Sequence, residues 1–337
     1  MASRSFPLLR RTLFVSSPAP PFLYSPTPPL FLHFSTLPAA PLRQTHFKRK
    51  FGRQRASLSE EEEPTSGTPT MGGGHSRWKP MCLYYTQDRC TMMDDPVHLE
   101  KFNHSCSVKL GETESDNLVK NLLPQAFDYF LVLDLEGKVE ILEFPVLLVD
   151  AKTMDVLDVF HRFVRPTKMS EQRINDYIEG KYGKFGVDRV WHDTAIKFEE
   201  VIEQFEGWLY KHKLWTKEQD GNLNEAAFVT CGNWDVKTQI PKQCEVSGMK
   251  LPSYFMEWIN LKDIYLNFYN RRAPGMVSMM RELQIPALGS HHLGIDDSKN
   301  ITRVLQRLLT DGALLQITAR RSPGSNNVKF LFQNRIR

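Results

Sequence analysis

Hydrophobic residues in the middle of this chain fall into short unbroken runs, and those runs predict strands. Phe130-Leu131-Val132-Leu133 is apolar throughout, the pattern of a strand covered on both faces. Phe144 to Val149 and Val156 to Val164 are two more such runs, joined by Asp150-Ala151-Lys152-Thr153-Met154-Asp155, which is turn chemistry. Three strands in succession predict an antiparallel meander. The period then lengthens, with Val201, Phe205, Trp208 and Leu209 spaced to share one helical face. Ala226 to Thr230 returns to strand character, Met276 to Leu283 and Ile301 to Leu309 read as helices, and a last strand is expected near Leu314 to Thr318. This order predicts an α/β domain built on a mixed sheet, with no internal repeat.

Composition adds an unusual beginning. The chain has 337 residues, 41% of them hydrophobic, and a formal net charge of +4, enough for a real core and no more than mildly basic. Residues 1–59 hold nine Lys or Arg and no acid, the first being Glu60. That stretch is rich in Ser, Thr and Pro, and its apolar pieces, such as Pro21-Phe22-Leu23-Tyr24, are too short and proline-broken to span a membrane or form a secretory core. It reads as an organelle transit peptide, of chloroplast rather than mitochondrial type, with a basic tail that touches nucleic acid as the alternative. Glu60 to Glu63 and Gly72-Gly73-Gly74 mark a flexible linker over 60–76. The five cysteines, an odd number, point to reduced thiols or metal ligands rather than a disulfide framework.

Three of those cysteines crowd into residues 77–110. Cys82, Cys90, His98 and His104 have a C-x7-C-x7-H-x5-H spacing, two close pairs that can surround one tetrahedral zinc ion. Cys106 is an alternative to His104 as fourth ligand. So small a module needs its metal to fold. With Lys79, Pro96 and Phe102 at matching places, the stretch resembles the C2H2-type poly(ADP-ribose)-binding zinc fingers, although its cysteines stand farther apart and the glycine between them is missing. An RNA-holding module, a poly(ADP-ribose) binder or a unit docked on the neighbouring domain are the roles it could have.

Carboxylates recur at three places in the main domain. "LDLEG" ends the first strand with Asp134 and Glu136, two apart and so on one face if the strand continues. "CGNWD" places Asp235 after a later strand, and "HHLGIDD" sets a histidine five positions before an aspartate as a helix opens. Converging carboxylates repel unless cations neutralise them, and hard oxygen donors suit magnesium or manganese, two of which can clamp the water and leaving oxygen of a phosphodiester. A neutral histidine beside them can accept the proton of that water.

These motifs, in this order, resemble the DEDDh family of 3′-to-5′ exonucleases. "EFPVLLVD", "FVRPT", "CGNWDVKTQIPKQC" and "GIDDSKNI" are similar to the branch that trims histone-messenger, small interfering and ribosomal RNA ends. The resemblance implies a ribonuclease H-like fold over 125–322, a tail at 323–337, and two Mg2+ or Mn2+ ions. It implies that Asp134 bridges both ions, that Glu136 and Asp297 complete one site, that Asp235 holds the other, and that His292 is the general base. Two doublets share the last motif, His291 beside His292 and Asp296 beside Asp297; the five-residue offset together with alignment to the family selects His292 with Asp297.

The implied substrate is RNA with a single-stranded 3′ end, shortened to nucleoside 5′-monophosphates, with ribosomal RNA precursors or small RNAs as its source. Glu136, Gly137, Trp234 and His292 are the expected contacts to the terminal nucleotide, Trp234 by stacking. Lys237, Lys242, Arg271, Arg272, Arg320 and Arg321 are candidate phosphate contacts. A non-catalytic adaptor on a silent nuclease fold and a DNA proofreading exonuclease are the rival readings.

Overall fold

The computed structural model describes residues 79–105, 122–325 and 327–336. The expected leader over 1–59, the linker over 60–76 and Cys106 lie outside the described residues. Two short helices come first, α1 (Leu83–Thr86) and α2 (Pro96–Lys101). Asp95 caps α2 by accepting the His98 N–H at 2.9 Å, and Pro96 takes the first turn, where an N–H would go unpaired anyway. Next come β1 (Tyr129–Leu133), β2 (Glu143–Asp150) and β3 (Val156–Phe163). They form the expected antiparallel meander.

The chain continues through α3 (Glu171–Tyr182), α4 (Asp188–Thr194), α5 (Phe198–Lys211) and β4 (Ala226–Thr230). A π-helical turn over Asp235–Gln239 runs into α6 (Ile240–Val246), followed by β5 (Glu257–Asn260), α7 (Leu261–Tyr269), α8 (Met276–Glu282), α9 (Gly294–Thr310), β6 (Ala319–Arg321) and β7 (Val328–Phe330). The strands make one mixed sheet in the order β3-β2-β1-β4-β5-β6-β7. β1, β4 and β5 are mutually parallel neighbours, and the flanking pairs are antiparallel. This is a ribonuclease H-like arrangement. Among the described residues no helix is long and apolar enough to cross a membrane.

Alternation along the strands divides the core into two layers. Phe130 and Val132 face α3, α7, α8 and α9, where Ile178, Ile264, Met279, Val304 and Leu305 pack. Leu131 and Leu133 face the opposite layer with Phe144, Phe160 and α5. The α5 residues Phe198, Val201, Phe205 and Leu209 are fully buried there, each contributing about 1.5–3 kcal/mol.

Three expectations change. Leu314 to Thr318 is not a strand, because the Gln125 side chain takes the backbone groups that pairing would need: it donates to Ala313 O at 3.1 Å and accepts the Leu315 N–H at 3.0 Å. Strand pairing starts at Ala319 instead, and the segment expected to be a tail supplies β7, so the sheet runs on to Phe330. Finally, α9 begins at Gly294, ahead of the Ile301 where its apolar period starts, since its first turn buries Asp296 and Asp297, polar groups that no apolar period reveals.

Candidate active site

Neighbouring β1 and β4 run parallel, with Val132 in register with Val229, so their carboxyl ends open on one edge, where open α/β sheets gather ligands. The chain stays extended past Leu133 as far as Glu136, which forms an isolated bridge with Glu143. Alternation therefore carries Asp134 and Glu136 to the α9 side, with Phe130 and Val132. Gly137 then turns the chain at φ +124°, and a Cβ there would stand 2.1 Å from the Glu140 carbonyl oxygen, so the turn itself demands glycine.

α9 meets this edge with its first residue. A Cβ on Gly294 would lie 2.9 Å from Asp134 O and 3.1 Å from both Glu143 Cδ and Pro145 Cγ. Such close approach brings Asp297 to β1: ligating oxygens of Asp134, Glu136 and Asp297 all fall within 4.8 Å of one another. Asp235 arrives from the turn after β4, and its Oδ1 accepts the Leu135 N–H at 3.1 Å. The doublet is separated by geometry. Asp297 faces the other carboxylates, while Asp296 turns to the Ser290 N–H at 2.9 Å and the Lys299 ammonium at 3.6 Å.

Both histidines of the pair are close by. His292 adopts φ 72°, a left-handed conformation uncommon for a side-chain-bearing residue. Its N–H donates to Asp297 Oδ2 at 2.8 Å, and its ring lines a cleft shared with Glu136 and Trp234. The His291 ring stacks on it at 3.9 Å and sets Nδ1 3.0 Å from Asp297 Oδ2.

Burial, followed by repulsion from Asp235, Asp297 and Glu136, holds the Asp134 carboxyl well above the usual range. Glu136 is pushed up to about 7 by burial, against the pull of the Lys181 ammonium 2.7 Å away. Burial likewise raises Asp235 to about 6 despite its bond from Leu135. Ionising this set at neutral pH calls for added positive charge, and its donors are all hard oxygens, so the residues present fit divalent ions of the magnesium class. His292 is lowered, first by burial and then by His291, and so is neutral at neutral pH, as a proton acceptor must be.

The cleft has a volume of about 460 Å³. Trp234 stands on its wall 44% exposed, free to stack against a ligand. Its cations are Lys138, Lys181 and Lys184, none of which the sequence had marked. The six basic residues it had marked do not line this cleft. Arg320 pairs with Glu257, Arg321 is buried and donates to Lys237 O, and Lys237 lies over the Phe330 ring. Lys181 rides on α3, a helix legible in the Ser170 cap and the Ile174, Ile178, Tyr182 stripe.

Glu143 is a second residue the sequence did not mark. Fully buried, it receives four donors: His161 Nε2 at 3.1 Å, Tyr182 OH at 3.0 Å, and the Gly294 and Ile295 N–H groups at 3.0 and 2.9 Å. Burial pulls its carboxyl upward most, but His161 and the two backbone donors together hold it below the ordinary value. It serves as the cap of α9, whose own N-cap Leu293 supplies none.

Cys82, Cys90, His98 and His104 also come together, with ligating atoms within 4.8 Å of one another. Cys90 Sγ lies 3.6 Å from both His98 Nε2 and His104 Nε2. Tetrahedral zinc with about 2.3 Å sulfur and 2.1 Å nitrogen arms separates S from N by about 3.6 Å. The geometry fits. The module is docked on the domain: Arg162 donates to Thr86 O at 2.7 Å and pairs with Asp88, and Tyr84 OH donates to Asp193 at 2.6 Å.

A ribonuclease H-like sheet with carboxylates gathered at its parallel strand ends defines a metal-using nuclease class, and sequence comparison agrees. The exonuclease profile of the RNase_T type matches residues 130–305. The chain belongs to this exonuclease family, which implies divalent metal ions at the site. An "Uncharacterized exonuclease domain-containing protein" of Arabidopsis thaliana is 67% identical over 264 residues, 78% of each chain. Human ERI1 exoribonuclease 3 is 32% identical over 207 residues, and the alignment spans 58% of either protein. Among solved structures, one of a 3′-exonuclease recognising the 3′ end of a histone mRNA stem-loop superposes with a TM-score of 0.53. It is 27% identical, covering 63% of this chain and 73% of that one.

Proposed function

We propose that this protein is a 3′-to-5′ exoribonuclease that hydrolyses phosphodiester bonds at single-stranded RNA 3′ ends and releases nucleoside 5′-monophosphates. The observation that carries the reading is the approach of Asp134, Glu136 and Asp297 to within 4.8 Å, with Asp235 held beside them by Leu135. These four residues would hold two Mg2+ or Mn2+ ions, which when bound supply charge neutralisation at the phosphate and an activated water. His292, kept neutral by burial, accepts the proton of the attacking water, and the Asp297 carboxylate on its backbone N–H fixes where the ring stands. Trp234 stacks the terminal base, and Lys138 and Lys184 meet its phosphates. Cys82, Cys90, His98 and His104 would hold one Zn2+.

The cell address is read as chloroplast, from the acid-free, Ser- and Pro-rich residues 1–59, with ribosomal RNA precursors as substrate. The test uses full-length protein, magnesium and a labelled RNA with a 3′ overhang, beside a single-stranded DNA of the same sequence. Stepwise trimming that disappears in Asp134→Ala/Glu136→Ala supports the assignment. Trimming unchanged by that double substitution refutes the site, RNA binding without trimming by the wild type favours a silent adaptor, and much faster loss of DNA favours a proofreading enzyme.

A further inference from the structure

We infer that the Cys/His module is a positioning element of the nuclease site, acting through a buried chain from Thr86 and Gln87 to His161 to Glu143 that ends on the backbone opening α9. The inference rests on the nuclease reading for its activity readout only; its structural content stands apart.

The chain begins one turn from a ligand of the module. α1 follows Cys82 directly, and the Thr86 N–H donates to Cys82 O at 3.2 Å. From that turn, Thr86 Oγ1 and Gln87 Nε2 reach His161 Nδ1 at 2.7 and 3.1 Å. Neighbouring backbone fixes the Gln87 amide: its oxygen accepts the Phe163 N–H at 3.0 Å, and its nitrogen donates to His161 O at 3.1 Å. The Glu143 carboxylate can only accept, so Nε2 carries the ring proton aimed at it; at Nδ1 stand the Gln87 amide nitrogen and Thr86 Oγ1, the latter also donating to Leu83 O at 2.9 Å and 3.2 Å from Gln87 Nε2.

Glu143 has no spare acceptor capacity. A carboxylate offers about four lone-pair sites, and the four donors named above fill them. Two of those donors are the first two N–H groups of α9, the helix whose first turn carries Asp297. Asp297 in turn takes the His292 N–H. Displacing His161 leaves a buried carboxylate short of one donor in a water-poor site, and Glu143 then shifts with the helix start it holds. Outer partners of this kind commonly cost about 10–100-fold in metal affinity or activity when removed. His161 is buried and stands on β3, between the module and β2, and among the described contacts its Nδ1 meets only Thr86 and Gln87.

The experiment replaces the two side chains that meet Nδ1 by shape-conserving apolar residues, Thr86→Val/Gln87→Met, in the full chain, with Gln87→Met alone as the milder variant. Three quantities are read: the Mn2+ midpoint of RNA hydrolysis, kcat against KM for RNA, and amide hydrogen exchange in residues 293–298. Expected are a midpoint raised about tenfold or more and a lowered kcat, a KM within about threefold, and faster exchange at the start of α9, with zinc content unchanged. A folded double variant with wild-type midpoint, kcat and exchange overturns the inference. If the double variant does not fold, the single variant decides by the same criteria, with a midpoint shift of about threefold as the threshold. Failure of wild-type protein to hydrolyse RNA at any Mn2+ concentration counts against the nuclease reading alone, and hydrogen exchange then decides the positioning claim.

Discussion

Gly294→Ala sets a local preference against a long-range contact, and the distances decide the outcome. Alanine is favoured over glycine by about 1 kcal/mol inside a helix, so secondary structure alone predicts a small gain. The added Cβ, however, would sit 2.9 Å from Asp134 O, where ordinary contact begins near 3.4 Å. Relief requires a shift of 0.5 Å, the difference of those two values. The atoms in the way are a backbone carbonyl and a proline ring, which cannot rotate aside as the end of a long side chain can. Overpacking of this kind costs about 1–3 kcal/mol, so the net loss of stability is about 0–2 kcal/mol after the helix preference is subtracted. The same shift moves Asp297 away from Asp134, and sites of this type tolerate only about 0.5 Å. RNA hydrolysis is expected to fall about 10- to 100-fold, while Tm drops by no more than about 8 °C. Rates measured over a Mn2+ series, beside calorimetry of the same preparations, check both numbers. A variant within threefold of wild type at every Mn2+ concentration refutes the claim that this contact sets the carboxylate spacing.

Further outcomes follow from the same geometry. Glu136 and Asp235 titrate near 7 and 6 against ordinary values of 4.5 and 3.8, so the folded protein retains protons that the unfolded chain has released. Their contribution to stability is full below the ordinary values and is lost as pH rises through the raised ones. In chelator-treated protein, the Tm of Glu136→Gln minus that of wild type should grow between about pH 5 and 8, and a flat difference contradicts the raised value. Trp234→Ala should raise KM for RNA about 5- to 100-fold with stability changed by less than about 0.5 kcal/mol, since the ring is exposed; unchanged KM removes it from the substrate path. Cys90→Ser should lower bound zinc, measured by elemental analysis, from about one ion per chain to less than half; zinc-free wild-type protein expressed with zinc supplied would remove the metal assignment.

Legibility in the sequence followed burial pattern. The meander was readable because β1 and β2 are covered on both faces and so are apolar without interruption. The motif-bearing carboxylates were readable because a two-residue offset on an extended chain has one geometric meaning. Lys181, Lys184 and Lys138 were not, because a lysine lining a cleft has the same local sequence as one on any solvated face. Nor was β7, three residues with partly exposed side chains whose strand state comes from its partner β6. The edge it covers is set by tertiary pairing.

The sequence by itself determined which elements alternate, which residue types can bind hard cations, and that two thiols and two imidazoles share one short stretch. Those are properties of periodicity and donor chemistry, which local order encodes. The tertiary structure alone decided that Asp297 rather than Asp296 turns to β1, that Glu143 caps a helix 151 residues away, and that the Cys/His module abuts His161. Each depends on which groups compete for the same buried space, and that competition exists only once the sheet and α9 have closed on one another.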